Sequence, residues 1–190
     1  MKKLTLLFLV LCFSLVTVGG ASAALVVDQE QDRRDLFLNM GYAAPLGQEF
    51  IPDVSNLAAA ELYIEVQAGG ESPVTLNVRE DTIDGKIVGT GSIDSADTGW
   101  NMIELDSYAW LTVGETYVLE FISNYPNTVG RGYGYIDGAY IFQGTPSTSG
   151  ADLQFRTYYD DTAAVPVPAA IWLLGSGLLG LASLRKKLNS

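Results

Sequence analysis

The sequence contains no histidine, and its one cysteine, Cys12, lies inside the apolar run Leu4–Val18. Ser-His-Asp and Cys-His catalysis and the usual zinc sites are therefore excluded from whatever follows the leader. A disulfide is excluded as well, so the exported form must hold together by core burial alone. Cys12 is no lipoprotein anchor, because Leu11 precedes it where a small residue is required and because it sits in mid-run. Positive charge is scarce too. Five of the 11 basic residues (Lys2, Lys3, Arg185, Lys186 and Lys187) belong to the ends, leaving six against all 22 acidic ones, a charge of −16 on the middle of the chain. A domain with that balance repels phosphate backbones and anionic lipid, so nucleic acid is not its partner. Helical periodicity is also missing: no stretch of the middle keeps a 3.6-residue repeat over three turns.

What is present at the two ends is apolar. Lys2-Lys3, the run Leu4–Leu11 and Gly19-Gly20-Ala21-Ser22-Ala23 have the basic, apolar and small-residue regions of a secretory signal, with Ala21 and Ala23 as the pair read by signal peptidase. The expected divisions are a signal peptide over 1–23, one ectodomain over 24–161, and a linker and tail over 162–190. Roughly 140 residues in the middle make a single domain of ordinary size. Near the far end, Ala169–Leu184 carries no charge and as a helix would rise about 24 Å, a minimal membrane span. The basic end Arg185-Lys186-Lys187 would stay cytoplasmic and place the acidic domain outside, in agreement with the signal peptide.

A plain anchor gives no reason for the paired prolines Pro166-Val167-Pro168 just before that run. The tail, in the order V-P-V-P-A-A-I-W-L-L-G-S-G and closing on Arg185–Lys187, resembles the PEP-CTERM sorting signal of exopolysaccharide-producing Gram-negative bacteria. The resemblance implies that Pro166, Val167 and Pro168 are read by an exosortase-like membrane protease, that the helix spans transiently, and that the chain reaches the cell surface or extracellular matrix after tail removal. Val167 stands where the motif's glutamate is usual. The resemblance covers only the last ~25 residues.

Between the ends the pattern is that of strands. Leu62, Ile64 and Val66 alternate with Glu61, Tyr63, Glu65 and Gln67, and Val74–Arg79 and Leu153–Tyr158 repeat the alternation. Tyr117–Ile122 is apolar on nearly both faces, as a central strand is. Weaker strands fall at Gln48–Ile51, Lys86–Gly89, Asn101–Leu105 and Ala139–Phe142, with turns at Gly69-Gly70, Asp84-Gly85, Gly114 and Gly144-Thr145-Pro146. The expected fold is all-β, a jelly-roll-like antiparallel sandwich of about eight strands, flanked by the signal-peptide helix and a C-terminal transmembrane helix. The ectodomain is loosely similar to choice-of-anchor domains and, in outline, to carbohydrate-binding modules.

Two clusters are candidates for chemistry. Glu80, Asp81 and Asp84 with Gly85 gather carboxylates in one turn, an arrangement hard cations favour, yet the EF-hand spacing is absent and a solvated hairpin is the better reading, with structural calcium left open. No cofactor is expected beyond structural calcium at such a loop. Tyr133, Tyr135, Asp137 and Tyr140 interleave with glycines over Gly130–Phe142, with Tyr125 and Trp110 as further rings. Rings beside small residues and an acid can stack on sugar faces, but lining the core or paving a sheet is the favoured reading of them. The expected function is a non-enzymatic structural or adhesive component of the surface or exopolysaccharide matrix. Its rivals are a carbohydrate-binding module using Tyr133–Phe142 and, further off, a glycoside hydrolase built on two carboxylates. A binder should expose Tyr133, Tyr135 or Tyr140 on one concave face; a structural unit should bury them.

Overall fold

The computed structural model describes residues 24–67 and 72–162. The signal peptide with Ala21 and Ala23, the apolar span 169–184, and the motif residues Pro166, Val167, Pro168, Arg185, Lys186 and Lys187 lie outside them. Among the described residues the chain forms thirteen strands and one helical turn, with every strand pairing antiparallel.

Eight of these strands form the framework: β1 (Leu25–Gln31), β3 (Leu46–Phe50), β4 (Asn56–Glu65), β5 (Val74–Glu80), β6 (Ile87–Ile93), β7 (Gly99–Trp110), β8 (Tyr117–Ile122) and β13 (Phe155–Asp160). They pair as nested hairpins, with β1 on β13 outermost, then β3 on β8, β4 on β7, and β5 on β6. Pairing of β13 with β4 and of β8 with β5 rolls this long hairpin into two sheets, β1-β13-β4-β7 and β3-β8-β5-β6. That is the winding of a jelly roll. A single bridge, Gly91 to Leu105, joins the sheets along the β6–β7 side.

The period-2 alternation explains which side of each strand turns inward. Leu62 and Ile64 on β4, Leu76 and Val78 on β5, Ile103 on β7, Leu119 and Phe121 on β8 and Phe155 on β13 are buried in one shared core, while Glu61, Tyr63, Met102 and Arg156 take the opposite side. β8 is central, lying between β5 and β3, as its two-sided apolar character implies.

The remaining strands are additions to the roll. β2 (Leu36–Asn39) and the turn α1 (Met40–Ala43) fall between β1 and β3. β9 (Thr128–Tyr133), β10 (Tyr140–Phe142), β11 (Thr145–Pro146) and β12 (Ala151–Leu153) fall between β8 and β13. β9 pairs with β2, β12 and the end of β4, while β10 pairs with β3 and β11, so this excursion lengthens both sheets.

Two differences from the sequence reading have physical causes. β1 is not legible in the alternation, because its inward side chains are Gln29 and Gln31 rather than apolar residues. Gly130–Tyr133, read as part of a ring-bearing segment, is the strand β9, whose glycines carry no side chain for a period to show.

Candidate functional site

The glycine-aromatic segment is knitted into the excursion. Tyr140 on β10 is 6 % exposed and belongs to the core. Its hydroxyl accepts a 2.7 Å hydrogen bond from Arg131 Nη1, and the same guanidinium lies 5.1 Å from its ring centroid. Tyr135 packs edge-on against Phe155 at 5.2 Å, its hydroxyl donates to Gln29 Oε1 at 3.3 Å, and Ile51 N–H donates to it at 3.4 Å. Burial holds the Tyr135 phenol above its ordinary range. Tyr133 is 43 % exposed and Asp137 faces solvent. Of the three rings, only Tyr133 is offered outward.

The interleaved glycines have a packing reason. A Cβ on Gly132 would sit 2.2 Å from the carbonyl oxygen of Arg33, and one on Gly138 would sit 2.2 Å from that of Glu49. Backbone runs against backbone there, which only glycine permits.

Beneath this segment lies a lattice of buried amides around one carboxyl. Asp152, 1 % exposed, accepts from Gln48 Nε2 at 3.3 Å through Oδ1, while Oδ2 has no partner. Gln48 Oε1 in turn accepts from Leu153 N–H at 2.8 Å. Burial raises the Asp152 carboxyl to about 6, against the hydrogen bond from Gln48, which lowers it. With Gln31 Nε2 donating to Asp152 O at 3.5 Å, the lattice ties β12 to β3 and β1.

Glu80, Asp81 and Asp84 occupy the β5–β6 hairpin. Asp81 adopts a left-handed conformation (φ 62°) and donates its N–H to Thr116 O at 3.0 Å; Arg79 Nη1 donates to Gly85 O at 2.9 Å; Lys86 Nζ lies 3.8 Å from Glu80 Oε1. The turn is closed by backbone and basic side chains, and among the described residues no three acidic side chains converge in a way that could hold a metal.

The tertiary structure assembles a second group of rings that no contiguous segment announces. On the outer side of the first sheet, Tyr63 of β4 and Trp100 of β7 are paired across the strands and meet edge to face at 5.7 Å. Arg156 of β13 lies 4.0 Å from the Trp100 ring, and Arg34, in the β1–β2 connection, lies 4.6 Å from Tyr63 and 5.1 Å from Phe37 of β2. Glu61 Oε2 accepts from Tyr158 at 2.6 Å and from Arg156 Nη1 at 3.3 Å. Burial first, and then this bond to Glu61, push the Tyr158 phenol up. The signal available in sequence was the wet side of the alternation, on which Glu61, Tyr63, Arg156 and Tyr158 all fall; nothing local says that these wet sides adjoin.

The domain is thus an all-β jelly roll with an excursion between its last two framework strands. The tail supplies the particular assignment: residues 164–187 match the PEP-CTERM protein-sorting motif. The chain is accordingly an exported protein sorted through an exosortase. No curated protein matches the chain. Among the described residues no helix is long and apolar enough to cross a membrane, and the span expected over 169–184 lies outside them.

Proposed function

We propose that the protein is a non-enzymatic structural or adhesive component of the cell surface or exopolysaccharide matrix, delivered there after signal peptidase and an exosortase-like protease have removed the two ends. The observation that carries this reading is the sorting motif at 164–187, joined to a single acidic roll that has no histidine and no cysteine. On this reading Pro166 and Pro168 are the pair that the protease reads, and Arg185–Lys187 are the charges that keep the end of the tail on the cytoplasmic side. The rival reading, sugar binding through Tyr133–Phe142, has less support, since Tyr140 is core and Tyr135 is turned inward onto Phe155.

The test is intact mass of the protein recovered from membrane and medium of an exosortase-bearing host. The Pro166→Ala/Pro168→Ala variant is expected to accumulate as a precursor heavier by the tail, while Val167→Glu is processed at least as well as wild type. A wild-type chain that keeps its full tail in that host overturns the reading.

A further inference from the structure

The outer side of the first sheet combines three kinds of group within one flat area: ring surfaces, planar donors and a planar acceptor. Trp100 and Tyr63 supply partly exposed rings, each with a guanidinium already over it; Arg34 supplies the unengaged donors, Arg156 is held to Glu61 through Nη1, and the Glu61 carboxylate, whose Oε2 accepts from Tyr158 and Arg156, offers Oε1 as the acceptor. We infer that this face binds a neutral polysaccharide, whose flat pyranose units lie across β2, β4, β7 and β13.

The chemistry favours that occupant. A pyranose offers an apolar C–H face for stacking and a belt of hydroxyls that both donate and accept; a guanidinium fork and a carboxylate each span neighbouring hydroxyls. Arg34 points to a ligand most directly. It is exposed and stacked over Phe37 and Tyr63, and among the described residues its guanidinium has no hydrogen bond and no ion pair, although acidic residues outnumber basic ones throughout the domain. Its donors are open to a ligand lying on the rings. The occupant is neutral because the domain carries −16 and Glu30 and Glu61 sit on the same face beside Arg156, so an extended polyanion is repelled. Its extended form follows from the setting: the rings and forks are spread over β2, β4, β7 and β13 and the β1–β2 connection, which suits a chain lying across them. This rests on the adhesive reading of an exported domain and supplies its ligand class.

The experiment is affinity electrophoresis of the full chain, recovered from its producing host, in gels containing hydroxyethylcellulose, galactomannan or soluble β-1,3-glucan, with polygalacturonate as the acidic polymer. At least one neutral polymer is expected to retard the protein, and raising salt should leave that retardation unchanged. Trp100→Ala and Tyr63→Ala are expected to weaken binding at least ten-fold and Arg34→Ala several-fold, with Trp100→Phe recovering part of the loss and Tyr133→Ala within two-fold of wild type. Arg34→Ala keeps the test decisive should a ring variant misfold, since that side chain is exposed and among the described residues makes no hydrogen bond or ion pair that the fold would lose. Indifference to all neutral polymers, retardation by polygalacturonate alone, or binding that survives the Trp100, Tyr63 and Arg34 changes overturns the inference. So does a self-associated form in which Trp100 is covered by a second copy and unaffected by polymer. Retardation is read whether or not the tail has been removed, so a failure here and a failure of sorting are separate results.

Discussion

Two groups of aromatic side chains in this protein have opposite fates. Those of Tyr133–Phe142 are neighbours in sequence and are scattered in space, with Tyr140 in the core, Tyr135 against Phe155 and Tyr133 in solvent. Those on the outer sheet face, Phe37, Tyr63 and Trp100, are remote in sequence and adjacent in space, with Arg34 against Phe37 and Tyr63 and Trp100 edge to face with Tyr63. Proximity along the chain is thus a poor guide to a shared surface in a jelly roll. The nested pairing brings β4 beside both β7 and β13, whereas a tightly wound excursion turns successive rings to different sides.

The comparison can be broken most forcefully at Tyr140. Its replacement by alanine removes a buried ring and leaves the Arg131 guanidinium, whose Nε already lacks a partner, without its hydroxyl acceptor. Urea unfolding should register a loss of about 3–5 kcal/mol. A loss below about 1 kcal/mol would mean that Tyr140 is a surface ring like Tyr133, and the contrast between the two groups would disappear.

The second test concerns the amide lattice that holds the excursion in place. Burial sets the Asp152 carboxyl at about 6 in the folded protein, above the ~3.9 of an unfolded chain. The folded state therefore favours the protonated acid. The stability this contributes is fully present below about pH 4 and is lost as pH rises through about 6. Asp28 and Glu49, also raised mainly by burial, act in the same direction. Asp152→Asn should flatten the profile by roughly 1–3 kcal/mol between pH 4 and pH 7.5 and stabilise the protein at the upper end. Parallel melting curves for variant and wild type across that range would remove Asp152 as the cause.

The smallest effects should come from the outer face itself. Trp100 is partly exposed and its contacts are a guanidinium and a ring edge, so Trp100→Ala should cost about 1 kcal/mol in thermal or urea unfolding. Tyr133→Ala should fall within about 0.5 kcal/mol of wild type. A Trp100 loss as large as that of Tyr140 would mark the outer rings as structural and weaken their assignment to a ligand.

Much of this was legible from the residues. The alternation at 61–67, 74–79 and 153–158 and the two-sided apolar run at 117–122 correspond to β4, β5, β13 and the central β8. Gln48–Ile51, Lys86–Gly89 and Asn101–Leu105 correspond to parts of β3, β6 and β7. The eighth expected strand, Ala139–Phe142, is β10 of the excursion, whereas the eighth framework strand, β1, escaped because it buries glutamines in a polar lattice that only its distant partners complete. The sorting motif was legible too, since it is read as a linear segment and needs no fold to be recognised.

By itself, then, the sequence determined the all-β class, the acidic and thiol-free character of the domain, the exclusion of histidine and cysteine chemistry, and the sorting tail. Each depends on composition, on a period of two along a single strand, or on a linear motif. Only the tertiary structure decided that Tyr63, Trp100, Arg34 and Arg156 share a surface and that Tyr133, Tyr135 and Tyr140 do not. Alternation says which side of a strand is wet, but not which strands adjoin. That choice is made by the pairing of β13 with β4 and of β4 with β7, which closes long stretches of chain and is stabilised only when the whole core forms.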